Sequence, residues 1–179
     1  VTPNLENQEI TSSDFSYITR GQVLKLRLTG YYTSIKNSTE ISRYFAEGIQ
    51  LGTDATAQDA FVAEILSGID KKYMGAEFAA DVKITPTLTS VLVVSYGDYT
   101  ISNNPTAYVS IDSDLYPNGY DEIGTAKLKG YKIAGTPQKA ASLGIRYNSP
   151  KYWWAGISAN YLADQYLDFS ALNKTAVLY

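Results

Sequence analysis

Chemistry in this chain has to come from carboxylates, amines, guanidinium groups and hydroxyls, because its 179 residues include no His and no Cys. Without imidazole there is no Ser-His-Asp or Cys-His constellation and no HExxH zinc helix. Without thiols there is no thiolate nucleophile, zinc ribbon, iron-sulfur cluster or disulfide framework. The carboxylates nearest to an acid-base pair are Glu77 and Asp81, in YMGAEFAADVK. On a strand, four residues set them about 13 Å apart, so acid-base work would need a third group between them. Charges balanced by Lys25, Arg27 and Lys83 are the simpler reading. Asp112, Asp114, Asn118 and Asp121, in IDSDLYPNGYDE, offer oxygen ligands of the kind calcium takes. Pro117 stands where an EF-hand has its invariant Gly, and a solvated turn accounts for the same residues. The expectation is a protein that is not an enzyme and holds no metal or cofactor.

The aromatic residues are the other chemical resource. Tyr supplies 16 of them, against five Phe and two Trp. Such a bias is expected where rings sit with one end apolar and the other wet, in paratopes and in membrane-interface girdles. Trp153 and Trp154 could stack on a sugar ring, but neighbours on a strand point to opposite faces, and one of them in a girdle is the better expectation. Tyr108, Tyr116, Tyr120 and Tyr131 lie in a long connection, where ligand contacts concentrate. Packing within that connection is the alternative for them. The triplets Asn37-Ser38-Thr39 and Asn173-Lys174-Thr175 match the glycosylation pattern, which is common by chance.

The positioning elements follow from composition and period. Fifteen basic and eighteen acidic residues give a net charge of −3, with 45% apolar, 13% aromatic and 18% charged residues. That is globular rather than disordered composition, and a pI near 4.9 argues against a nucleic-acid partner. No signal peptide is apparent. The longest apolar runs, such as Val91 to Val94, fall far short of the ~18 residues of a membrane-spanning helix.

Period two dominates. Val23 to Thr33 sets Leu24, Leu26, Leu28, Gly30 and Tyr32 against Val23, Lys25, Arg27, Thr29 and Tyr31. Tyr73 to Lys83 sets Met74, Ala76, Phe78, Ala80 and Val82 against Gly75, Glu77, Ala79, Asp81 and Lys83. Lys139 to Asn148 and Tyr152 to Tyr161 alternate in the same way around a turn at Asn148-Ser149-Pro150-Lys151. Leu88 to Thr100 is β-branched, and Ile10 to Thr19 is the weakest pattern.

Six strands result, joined alternately by short connections (Arg20 to Gln22, Ile84 to Thr87, Asn148 to Lys151) and long ones (Ser34 to Lys72, Ser102 to Gln138). Within the first long one, Asp59 to Ile69 suits a short helix or a strand pairing with Thr39 to Ala46. Long connections all at one end of a meander are the layout of an outer-membrane β-barrel. In that layout Lys25, Arg27, Glu77, Asp81 and Arg146 face the lumen, while Leu24, Leu26, Leu28, Phe78, Val82, Tyr147 and Trp153 face lipid or its girdle. Small residues on the apolar faces, such as Ala76, Ala80 and Ala159, suit fluid lipid better than a densely packed core. Six strands do not close, since bacterial barrels have at least eight. The expectation is therefore all-β, an antiparallel up-and-down meander of about six strands, with residues 1–179 as one partial barrel domain.

Three stretches carry a family resemblance: LRLTGYYTSIKNSTEISRYFAEG, FVAEILSGIDKKYMGAEFAADVKITPTLTSVLVVSYGDYTISNNP and KIAGTPQKAASLGIRYNSPKYWWAGISANYLADQYLDFS. They resemble the C-terminal barrel region of TonB-dependent outer-membrane receptors of the Bacteroidota type, with GIDKKYMGAEF similar to the family's strand restart after an extracellular loop. The resemblance favours strand over helix for Asp59 to Ile69. It implies an outer-membrane location, a barrel of about 22 strands and energised uptake of a nutrient. The implied partners are the bilayer, a TonB-type energy-coupling protein and a surface lipoprotein. The plug and TonB box that uptake needs, and the strands that close the barrel, are not in these 179 residues. Two readings of other classes stand beside it: a soluble Tyr-rich β-sandwich binding carbohydrate, and an outer-membrane barrel with a structural role and no transport.

Overall fold

The computed structural model describes residues 5–49, 58–111 and 119–167, and among these there is no helix. Eight strands run in chain order: β1 Glu9–Arg20, β2 Leu24–Ile49, β3 Gln58–Lys83, β4 Leu88–Ile101, β5 Thr106–Ile111, β6 Asp121–Thr125, β7 Lys139–Asn148 and β8 Trp154–Ala163. All pairings are antiparallel. The main path is β1-β2-β3-β4-β7-β8; β5 pairs with the upper part of β3, and β6 pairs with β5.

The main path is the expected six-stranded meander, and it refines two expectations. The connection Ser34 to Lys72 is not a loop over most of its length, because β2 and β3 stay paired up to Ile49 and Gln58. Asp59 to Ile69 is strand, with Glu40 opposite Leu66 and Phe45 opposite Phe61. Alternation fails there for a local reason. Register shifts fall between Ile35 and Ser38, Ser38 and Glu40, and Ala46 and Ile49, and Asn37 and Gly68 take positive φ of 58° and 74°. Each bulge moves the following side chains to the other face, which erases the period. The second long connection contains β5 and β6. Both β4 and β5 pair with β3, so they act as one long strand interrupted at Ser102 to Pro105.

Short turns close the lower end. Gly21 donates to the Leu24 carbonyl at 2.8 Å, and the Thr85 hydroxyl accepts from the Leu88 amide at 3.0 Å. The Ser149 hydroxyl accepts from the Lys151 amide at 3.1 Å. Tyr152 holds φ at 62° in this last turn with its ring fully exposed.

The core lies at the upper end, away from the regular sheet. Leu66, Ile69, Ala107, Ala126 and Leu128 are buried together, with Ile101 and Ile123 packed against them. The lower sheet is a single layer, and strand contacts there are between hydrogen-bonded neighbours. Among the described residues no second sheet covers it, and the sheet stays open, with β1 and β8 as its edges. Ile69→Ala is expected to cost about 2–5 kcal/mol, read as loosening of residues 102–138 to protease ahead of the lower strands.

Candidate functional site

Paired residues share a face, so the registers sort the lower sheet into two. One face carries Lys25, Arg27, Glu77, Asp81 and Arg146, and the other carries Leu24, Leu26, Leu28, Phe78, Val82 and Tyr147. The polar groups are tied mostly to near neighbours. Lys25 Nζ lies 3.6 Å from Asp81, with both side chains about half exposed, so the pair contributes little to stability. Arg27 donates to Thr29 Oγ1 at 3.1 Å. Arg146 donates to Asn148 Oδ1 at 2.9 Å and sits 4.6 Å from the Trp154 ring centre. Asp81 is engaged by Lys25, and Glu77 stands opposite Thr29 and Ser95, two positions further along the same strand face.

The two Trp residues divide as strand geometry requires. Trp153 packs on Tyr147, with centroids 5.3 Å apart, on the apolar side. Trp154 lies opposite Asn148 on the polar side.

The loop tyrosines separate. Tyr108 is buried and meets Tyr120 edge to face at 5.8 Å, which makes it a packing residue of β5. Tyr131 is exposed. Tyr116 lies outside the described residues, as do Asp112, Asp114 and Asn118 of the calcium arrangement. Among the described residues no three His, Cys, Asp or Glu side chains are grouped to hold a metal.

The structure adds a lock on the polar face that the residue types alone do not announce. Tyr31, Gly75 and Gly97 fall on one cross-strand row. A Cβ on Gly75 would meet the Tyr31 ring, and one on Gly97 would meet the Tyr99 ring, each closer than 3 Å. The hydroxyl ends of the two rings thus lie over glycine, and their hydroxyls hydrogen-bond at 2.6 Å. Tyr73 adds a third ring 5.3 Å from Tyr99. Glycine inside a strand signals such a close approach, but the partner rings emerge only once the register is known.

Toward the upper end of the sheet, on the apolar side, Lys132 Nζ contacts Asp98 at 2.5 Å and Lys139 Nζ contacts Asp164 at 2.7 Å. The hydrogen bond to Asp98 holds the Lys132 ammonium above its ordinary range. Its contribution is therefore complete at neutral pH and is lost only as pH rises through that raised value.

No protein-family model, curated protein or solved structure matches the chain.

Gly97→Ala is expected to destabilise by about 1–3 kcal/mol through overpacking, whereas Tyr31→Phe removes one hydroxyl contact and costs about 1 kcal/mol. Urea unfolding of the two variants checks the order.

Proposed function

We propose that the lower sheet is part of the wall of a transmembrane β-barrel, and that the protein is an outer-membrane receptor for energised nutrient uptake. The observation that carries the wall reading is the oblique band on the apolar face. Its upper edge is drawn by Tyr32 on β2, Tyr96 on β4 and Tyr161 on β8. Following the registers, Tyr96 lies opposite Ala76 and Gly30, and Tyr161 leads through Ala141, Val94 and Phe78 to Leu28. The edge therefore drops by about one residue per strand. At about 3.4 Å per residue and 4.8 Å per strand this is a line about 35° off the rows, close to the tilt of strands in membrane barrels.

The band's height agrees. Eight steps from Trp153 to Tyr161 run about 27 Å along β8, or about 22 Å across the band at that tilt, against about 25 Å for an outer-membrane apolar belt. Large side chains within the band stand in the open, Phe15 at 77% and Ile157 at 75% exposure. A water-soluble sandwich would cover them with a second layer; lipid needs no such layer. Above the band, ion pairs reappear on the same face.

The uptake half of the proposal rests on the resemblance to TonB-dependent receptors, and the barrel of about 22 strands belongs to it. Tyrosines and charges on the lumen side, and the extension built by β2, β3, β5 and β6, would then meet the nutrient. Deleting the complete gene is expected to abolish growth on one nutrient of a panel of iron chelates, glycans, peptides and vitamins. Deleting the energy-coupling partner should abolish the same growth. Unchanged growth across the panel would contradict uptake.

The wall itself is tested with the two tryptophans. In proteoliposomes containing brominated lipid, with every Trp outside these 179 residues changed to Phe, Trp153 emission (in Trp154→Phe) should be strongly quenched. Trp154 emission (in Trp153→Phe) should respond instead to aqueous iodide. Equal responses would contradict the assignment of faces.

A further inference from the structure

The apolar band is not uniformly filled. Near its upper edge lies a depression of about 630 Å³ with Gly30 and Ala76 as its floor, Phe15 and Tyr96 as side walls and Tyr32 and Met74 above. The floor is two strands, about 10 Å, wide. No atom lies within 4 Å of a Cβ built on Gly30, so the hollow is open to the outside rather than filled by a neighbouring side chain.

What borders this hollow is polar in a particular way. Asp98, at its upper lip, is neutralised by Lys132 at 2.5 Å. One row higher on the same face, Lys72 stands between Ser34 and Thr100. None of the ion pairs among the described residues includes Lys72. A single uncompensated ammonium flanked by hydroxyls is phosphate-binding chemistry. Directly below it is an apolar hollow opening onto the lipid-facing band.

We propose that the Gly30–Ala76 hollow holds an acyl chain of a membrane lipid whose anionic phosphate headgroup is bound by Lys72. The site would retain one particular lipid more firmly than the surrounding band does. This rests on the membrane-wall reading, and it commits the hollow to lipid rather than to another protein.

The test uses the full-length protein in nanodiscs of phosphatidylcholine containing a minority of phosphatidylglycerol, with retained lipid counted by native mass spectrometry after release into detergent. The wild type should keep phosphatidylglycerol in preference to phosphatidylcholine. Gly30→Trp, which fills open space, should lose that retention. Lys72→Gln should weaken it by about fivefold while leaving incorporation into nanodiscs unchanged. Equal retention by wild type and Gly30→Trp, or no preference for the anionic lipid, would overturn the site while the wall reading stands. Failure of the wild type to enter nanodiscs would overturn both.

Discussion

A peptide group in hydrocarbon has no water to bond with, so any chain that crosses a bilayer as strands must pair every backbone donor and acceptor within the sheet. Between its two edge strands the lower sheet meets this demand. From Leu24 to Ile35 on β2, from Lys71 to Lys83 on β3, and along β4, β7 and β8, the registers run without a bulge. Register shifts occur only above, in the upper parts of β2 and β3 and in the β5/β6 pair. Positive φ values follow the same division: Asn37, Gly48, Gly68, Gly119, Gly124, Gly130, Gly135 and Asp164 lie above the band, and Tyr152 lies in the turn below it. An uninterrupted ladder keeps the side-chain period at two, and the constant period separates the apolar face from the polar one. The oblique aromatic edge, the charged face and the hollow proposed for lipid all depend on it.

The same ladder decides what was legible in the sequence. Leu24 to Tyr32 and Met74 to Val82 read correctly because nothing interrupts their alternation, and their cross-strand pairing follows from the faces they present. The upper halves of β2 and β3 were hidden because Asn37 and the adjacent register shifts reset the period. Val62, Glu64, Ile65 and Leu66 are buried on both faces of β3 at once, which leaves no alternation to find. The split of one long strand into β4 and β5 at Ser102-Asn103-Asn104-Pro105 has local cues, but the pairing of β5 with β3 is a long-range event. Of the residues expected to act, the polar set fell together on one face, whereas Tyr108 turned inward to Tyr120. The Tyr31–Tyr99 lock required the register.

Two kinds of stabilisation coexist in the chain. The upper extension is held by ordinary burial around Ile69 and Leu128, closed by side-chain bonds such as Asn103 Nδ2 to the Gly68 carbonyl at 2.7 Å. The lower sheet has no such buried cluster, and its cohesion comes from backbone pairing with small cross-strand contacts such as Ser16 with Thr29 at 2.9 Å. Such a layer leaves Phe15 and Ile157 in the open, and exposed apolar surface of this kind marks a face that meets another apolar phase or partner. The edges β1 and β8 carry the same implication, since in lipid each needs a further strand beside it.

The central claim is that one face of the lower sheet meets lipid and the other meets water, and single cysteines placed along its strands, in a background with any Cys outside these 179 residues removed, measure it. Single cysteines placed in the full-length protein in its membrane would be treated with a charged, membrane-impermeant maleimide. Positions 26, 78, 143 and 157 should stay unlabelled, and positions 79, 142 and 158 should label, with the sign alternating residue by residue along each strand. Labelling without a period of two, or rapid labelling of both sets, would contradict the account.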